Sequence, residues 1–358
     1  MIMIRFTSEV GEVIDFVPEV FMPLSYSDLP FDHSAEGKTY SFKIDAKSIQ
    51  MPGTTSSDRR TGRVSLQLNF PQGLSVFALV PGGWLPPPFV IPSNFLVDRN
   101  VVSDLVRIRR GLSPQRMKQN DWWFQFFDHF NAFINPALYA LEGDKLRHPT
   151  FDEFRKSFDE AAKEIETQLP GARLVSYDSI HYQAAYQILT NSADRYGRET
   201  KFLMCVAPKV TFRLSDSELL ATQKEIIRIA GKLDLKTHSL SVLTILACLY
   251  ENADGSGFLA ARRIIKPSTT YSAENAHNAI ADLRALETFI FSLGLDQEPL
   301  ALCTCDRAIA ALWCGLDVHG HRWNNDVFSF TVSLTEHLFP RIATAGREEL
   351  AAALVEEQ

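Results

Sequence analysis

The chain has 358 residues, of which 46% are hydrophobic and 22% charged, and its formal net charge is -7. This composition is typical of globular proteins and excludes a disordered or fibrous chain, and no apolar run is long enough for a membrane-spanning helix. The acidic balance argues against a passive nucleic-acid coat, which would be basic, but permits an enzyme with an acidic, metal-loaded site.

The N-terminus and the cysteines predict a cytoplasmic protein. Glu9 and Glu12 interrupt the N-terminus before a signal-type apolar region develops. The cysteines number five, are scattered through the second half of the chain, and favour a reducing compartment over a disulfide framework. The length predicts two domains, or one large domain with insertions.

Residues 1–91 are predicted to form a β-rich N-terminal extension. Apolar and polar residues alternate in 40–45 and in 64–70, which is the pattern of half-buried strands. The prolines at 86–88 are predicted to form a stiff spacer, and we place the domain boundary near Pro92.

After that boundary, predicted strands alternate with predicted helices. Residues 95–97 form a short apolar strand, and 299–305 repeat this pattern near the C-terminus; an aspartate and then a helix follow each of them. Other helices are predicted over most of 119–207 and over 215–232, 240–250 and 272–293, with a last strand at 327–332 and a short helix in the tail 341–358. Strands separated by helices predict an α/β fold, a parallel sheet flanked by helices.

Two aspartates stand where parallel strands end. Asp98 and Asp306 directly follow the apolar strands, and ligands of open parallel sheets bind at the carboxyl ends of strands. Two partly desolvated carboxylates repel each other unless a proton or a cation lies between them. Mg²⁺ or Mn²⁺ is the cation expected at an all-oxygen site.

Two further acids fit the same site. Glu142 lies about two turns after Pro136, which suits a helix start. Asp282 shares one stripe of its predicted helix with Asn278, beside the apolar stripe of that helix. Glu251 competes with Glu142 for the second position.

These patterns together resemble the PIN-domain nucleases. The similarity rests on four segments, namely 96–102, 135–142, 278–282 and 302–307. It implies a PIN-like core over 92–340, with a helical insertion at about 145–270. It also implies that the metal-binding and catalytic residues are Asp98, Glu142, Asp282 and Asp306, and that the assisting residues are Asn100, Asn278 and Thr304.

The resemblance implies metal-dependent hydrolysis of RNA, or of single-stranded DNA, as in endoribonucleases that act as growth-arresting toxins or in phage defence. An inhibitor protein or a second copy of the chain are the partners expected in that setting. The alternative is a catalytically inactive PIN-like scaffold that binds RNA or a protein.

Basic and aromatic residues are candidates for substrate binding. The predicted contacts are Arg107, Arg109, Arg110 and Arg307. A second basic group precedes the helix of Asp282 and consists of Arg262, Arg263 and Lys266. Trp122, Trp123 and Phe124 are candidates for stacking on bases, against the alternative that they belong to a core or an interface.

Overall fold

The protein is described by a computed structural model over most of its length. The described residues are 4–7, 13–31, 38–50, 60–70, 74–90, 94–109, 127, 132–142, 147–190, 193–251, 257–294, 300–324 and 327–356. Within these stretches, no helix combines the length and the apolar character needed to cross a membrane.

The N-terminal part forms a four-stranded antiparallel sheet in the order β1-β2-β3-β4. Its strands are β1 (Ile4–Thr7), β2 (Val13–Phe21), β3 (Lys38–Gln50) and β4 (Arg60–Phe70). Alternate residues of β3, including Tyr40, Phe42 and Ile44, are buried, so one face of this sheet covers the core.

A second sheet has six strands in the order β6-β5-β10-β7-β8-β9. They are β5 (Phe77–Val80), β6 (Gly83–Leu85), β7 (Asn94–Val97), β8 (Phe133–Asn135), β9 (Arg173–Leu174) and β10 (Leu300–Thr304). The pairs β10-β7, β7-β8 and β8-β9 are parallel. Their carboxyl ends therefore lie along one edge of the sheet.

Helices flank this sheet and continue into the region between β9 and β10. They are α1 (Arg99–Arg109), α2 (Ala137–Glu142), α3 (Phe151–Gln168), α4 (Ser179–Thr190), α5 (Ala193–Val206), α6 (Asp216–Lys232), α7 (Leu240–Tyr250), α8 (Ala260–Ile265), α9 (Ala273–Leu293), α10 (Arg307–Leu316) and α11 (Thr344–Glu356). A separate hairpin pairs β11 (Val318–Asn324) with β12 (Val327–Val332).

The two larger sheets share one hydrophobic core through Trp84. Its backbone exchanges two hydrogen bonds with Leu24, and its indole N–H donates to the carbonyl of Ser25 at 3.0 Å. The indole N–H of Trp313 on α10 donates to the carbonyl of Gly83 at 2.9 Å. The N-terminal sheet is therefore joined to the site-bearing sheet by buried contacts.

The prediction of a mixed α/β fold with a β-rich N-terminal part is confirmed, as are strands at 40–45, 64–70 and 327–332. The sheet is only mostly parallel, since β5 and β6 form an antiparallel hairpin on its edge. This hairpin lies within residues 1–91, so that segment contributes strands to the second sheet as well.

Two elements differ from the sequence patterns. The strands β8 and β9 lie within the stretch predicted to be mostly helical, and with three and two residues they are too short to show an alternating pattern. The proline run at 86–88 leads into a short 3-10 helix, Pro87–Phe89, whose first residue is buried. Burial of Pro87 makes this run part of the core instead of a free spacer.

Gly83 allows the close approach of the hairpin to Leu24. Its φ is +153°, and a Cβ at this position would lie 2.1 Å from the carbonyl oxygen of Leu24. We expect Gly83→Ala to destabilise the protein by about 1–3 kcal/mol, because backbone atoms must shift to relieve the clash. Chemical denaturation with a fluorescence readout measures this loss.

The matched control is Gly197→Ala on an exposed face of α5, where a Cβ would meet nothing within 4 Å. This substitution is expected to leave the stability unchanged or to raise it by up to about 1 kcal/mol, since glycine is a poor helix former. Equal losses in the two variants would contradict the close contact at Leu24.

Candidate active site

Asp98 directly follows β7 and is held between β7 and β10. Its side chain accepts hydrogen bonds from the backbone N–H of Val101, at 2.9 Å, and from the hydroxyl of Thr304. Its own N–H donates to the carbonyl of Cys303 at 3.1 Å. Because Asp98 is only 6% exposed, its carboxylate depends on these donors in place of water.

Asp306 begins α10 at the end of the neighbouring strand. Its Oδ1 accepts hydrogen bonds from the backbone N–H groups of Ala308, at 2.6 Å, and Ile309, at 3.4 Å, so it is the N-cap of this helix. Its N–H donates to the hydroxyl oxygen of Thr304 at 2.9 Å. Thr304, which is fully buried, thus links the two aspartates.

Glu142 and Asp282 approach the same place from two helices. Glu142 is the last residue of α2, and Asp282 lies in the middle of α9. Together with Asp98 they line one cavity of about 40 Å³, the acid pocket. The four predicted acids therefore come from four elements, and three of them line the acid pocket.

The electrostatics show that Asp306 belongs to this cluster. Burial raises the pKa of Asp98 to about 7, and the charges of Asp306 and Glu142 raise it too, against the hydrogen bonds from Thr304 and Val101. Desolvation also raises the pKa of Asp282 well above its usual range, with further contributions from Asp306 and Glu142, while Lys266 opposes this shift. The charges of Asp306 and Glu142 thus make ionisation of Asp98 and Asp282 less favourable.

The acid pocket is also lined by arginines, histidines and a tyrosine. They are Arg99, Arg147, His148, Tyr196, His277 and Arg284. Burial lowers the pKa of His148 to about 4, helped by the charge of Arg284, and burial lowers the pKa of His277 as well. Both imidazoles are therefore neutral near pH 7.

Two contacts hold these residues, here called the second wall, in place. The hydroxyl of Tyr196 lies 2.5 Å from Nδ1 of His277, and the guanidinium of Arg284 lies over the Tyr196 ring at 4.8 Å. Arg99 approaches Glu142 at 3.8 Å. The acid pocket is thus lined by both carboxylates and arginines.

The remaining predicted polar residues separate into two groups. Asn100 lines the acid pocket, and Thr304 supports it from within the core. Asn278 is exposed on α9 and does not line the pocket. Glu251, the competitor of Glu142, is 2% exposed and accepts hydrogen bonds from the backbone of Ala261 and Arg262, so it caps α8 away from the pocket.

The basic residues predicted from the sequence do not line the acid pocket where they are described. Arg107 is 3.6 Å from Asp104 on the exposed face of α1. Arg307 lies on α10, where its charge acts on Tyr40 of the N-terminal sheet. Arg109 ends α1, but its side chain and all of Arg110 lie outside the described residues.

The three residues of the second basic group also lie in different surroundings. Arg262 donates to the carbonyl of Thr211 at 3.1 Å, and Arg263 lies over the ring of Phe258 at 4.5 Å. Lys266 alone acts on an acid of the pocket, Asp282. The aromatic residues 122–124 lie outside the described residues.

The donor chemistry of the acid pocket fits a hard divalent cation. The donors are carboxylate oxygens, and a cation would relieve the repulsion that raises the pKa values of Asp98 and Asp282. In the described part of the chain, no three His, Cys, Asp or Glu side chains form a ready coordination group. The carboxylates surround the acid pocket without closing on a common point.

Comparison of the chain with protein-family models, with curated proteins and with solved structures finds no match.

The arginines and histidines of the second wall were missed from the sequence. A signal for part of them exists on α9, where His277, Ala281, Arg284 and Thr288 recur at spacings of four, three and four residues and line the acid pocket. This stripe runs beside Asp282. His148 and Tyr196 carry no comparable signal, because only tertiary contacts bring them to the pocket: α5, which carries Tyr196, packs against α9, and His148, which precedes α3, contacts Arg284 of α9.

The raised pKa of Asp98 predicts a pH-dependent stability in chelator-containing buffer. The native carboxyl titrates near pH 7 and the unfolded one near pH ~4, so the stabilising proton is present below about pH 4 and lost as the pH rises through about 7. Asp98→Asn has no such proton. As the pH rises towards 7, the free energy of unfolding of the variant should therefore increase relative to that of the parent by up to about 1.4 kcal/mol per pH unit. Thermal unfolding at pH 5, 6, 7 and 8 measures this difference.

Burial also raises the pKa values of Glu199 and Glu251 to about 7, and both residues remain in the two proteins. Their contributions cancel in the difference between variant and parent, which therefore reports on Asp98 and on its coupling to Asp282. Parallel pH profiles of the two proteins would show that the Asp98 carboxyl is not desolvated.

Proposed function

We propose that the protein is a divalent-cation-dependent nuclease that cleaves RNA. The observation that supports this proposal is the grouping of Asp98, Glu142, Asp282 and Asp306 at the carboxyl ends of β7 and β10. These acids are far apart in the sequence and come from separate elements. Their mutual repulsion has a cost for the fold that a structural role alone does not explain.

The four acids would hold Mg²⁺ or Mn²⁺. When bound, such an ion polarises a phosphoryl oxygen and lowers the pKa of a water molecule, which are the two requirements for phosphodiester hydrolysis. The carboxylates of Asp98, Glu142 and Asp282 line the pocket, which matches the preference of both ions for oxygen.

The chain's own residues position the acids and the substrate. The Thr304 hydroxyl orients the carboxylate of Asp98, and the backbone of α10 orients that of Asp306. Arg99 and Arg147 line the acid pocket and are suited to attract a phosphate group. The neutral imidazoles of His148 and His277 can accept or donate a hydrogen bond without adding charge.

Asp306 allows the catalytic role to be separated from the capping role. We expect Asp306→Asn and Asp306→Ser to lose cleavage of labelled RNA in Mn²⁺, because both lack the carboxylate, yet to keep the unfolding temperature, because Asn and Ser are also good N-caps. Gel analysis of RNA and DNA substrates, together with thermal unfolding, measures both effects.

Asp306→Ala serves as the matched variant that also loses the cap, at a cost of about 1 kcal/mol. Full activity of Asp306→Asn would overturn the assignment of Asp306. RNA binding by the parent without cleavage, in either metal, would favour the alternative of an inactive scaffold.

Cation binding should stabilise the parent protein. At a metal concentration one hundred times the dissociation constant, the gain is about 2.7 kcal/mol. We expect Asp282→Asn to show a much smaller rise in unfolding temperature with Mg²⁺ or Mn²⁺, since it removes one of the proposed oxygen ligands. Differential scanning fluorimetry across a metal titration measures the gain.

Asp317→Asn is the control for this titration, because Asp317 lies at the opposite end of α10 and is exposed. It should respond to the cations as the parent does. An unfolding temperature of the parent that neither cation changes would argue against a metal site in the acid pocket.

A further inference from the structure

The acid pocket is too small for a nucleotide. Its volume is about 40 Å³, and a single water molecule requires about 10–15 Å³ on this scale. A few water-sized groups fit there, whereas a ribose and a base do not. A strand whose phosphate reaches the acids must therefore place its sugar and base elsewhere.

A second and larger cavity adjoins the acid pocket across α9. It has a volume of about 450 Å³, within the range of roughly 300–1,000 Å³ that is usual for ligand sites. Arg284 and Thr288 line both cavities. We call this second space the basic cavity.

Four cations line the basic cavity, against the two carboxylates of Asp234 and Glu287. The cations are Arg195, Arg198, Lys236 and Arg284. Arg198 forms an ion pair with Asp234, and Arg195 forms one with Glu287. The cavity therefore carries excess positive charge in a chain whose net charge is negative, which favours an anionic ligand.

Arg284 is the one of these four cations that lines both the acid pocket and the basic cavity. Burial lowers its pKa to about 10, so the guanidinium remains charged at neutral pH in a poorly solvated place. Its buried Nε has no hydrogen-bond partner among the described residues. Its two Nη atoms lie 2.9 Å from Nδ1 and Nε2 of His148, and because a neutral imidazole has one acceptor nitrogen, only one of these contacts can be a hydrogen bond. A phosphate at this shared wall would supply a second, charged acceptor for the guanidinium.

Apolar residues, including two aromatic rings, also line the basic cavity. Phe291 on α9 and Phe330 on β12 line it, together with Leu240 of α7. Aromatic side chains next to a basic groove are the usual means of holding an unpaired base. Cationic and aromatic walls together match a nucleotide better than they match a simple anion.

We propose that the basic cavity binds the nucleotide of single-stranded RNA that neighbours the cleaved phosphate. Its phosphate lies towards Arg284 and Lys236, and its base lies against Phe291 and Phe330. The cleavage itself rests on the proposed function, whereas binding of the strand is measurable without it.

The test compares two charge reversals of exposed lysines. Lys236 lines the basic cavity, whereas Lys232, one turn earlier in the sequence at the end of α6, lines neither space. Binding of a fluorescent eight-nucleotide oligouridine is followed by anisotropy in EDTA, with the full-length chain. We expect Lys236→Glu to raise the dissociation constant about tenfold and to reduce the salt slope by about 0.7, and Lys232→Glu to change neither.

Equal weakening by the two reversals would indicate a general charge effect and overturn the proposal, as would unchanged binding by Lys236→Glu or no binding by the parent. Binding of adenosine monophosphate, but not of the oligonucleotide, would overturn the assignment to an RNA strand.

Cleavage assays separate this inference from the proposed function. Metal-dependent cleavage that Lys236→Glu leaves unchanged would support the nuclease and contradict the basic cavity. Binding that depends on Lys236 without any cleavage would support the cavity and contradict the nuclease.

Discussion

A carboxylate withdrawn from water needs donors or a counter-charge, and Asp98 shows how this chain meets that need. Its position is set by the parallel pairing of β7 with β10, since both the carbonyl of Cys303 and the hydroxyl of Thr304 belong to β10. Two hydrogen bonds compensate for part of the lost hydration. The remaining cost appears as the raised pKa, and the nearby carboxylates increase it.

The helices around Asp98 bring in the nearby carboxylates that raise its pKa. Asp306 caps the N-terminus of α10 and α9 brings Asp282 alongside, so each of these two helices contributes an acid to the cluster. The same α9 carries Arg284, which lies over Tyr196 of α5. A pocket lined by both acids and arginines can hold a cation and a phosphate side by side, each with an opposite charge near it.

Polar residues near the site also have local structural roles. Glu251, the candidate that competed with Glu142, caps α8, and Asn275 forms a capping box with Ser272 at the start of α9. Sequence patterns cannot separate such caps from ligands, because both uses place a short polar side chain at the end of an element. Asp306 shows that the two uses can coincide in one residue.

The sequence by itself determined the strands and helices with strong periodicity, and it placed Asp98 and Asp306 at the ends of apolar strands, because these features depend on neighbours within a few residues. Only the tertiary structure decided that α2 and α9 bring Glu142 and Asp282 to the same pocket, that Arg107 and Arg307 face elsewhere, and that a basic cavity adjoins the acids. These outcomes depend on the order of strands in the sheet and on the packing of helices distant in sequence, which no local pattern contains.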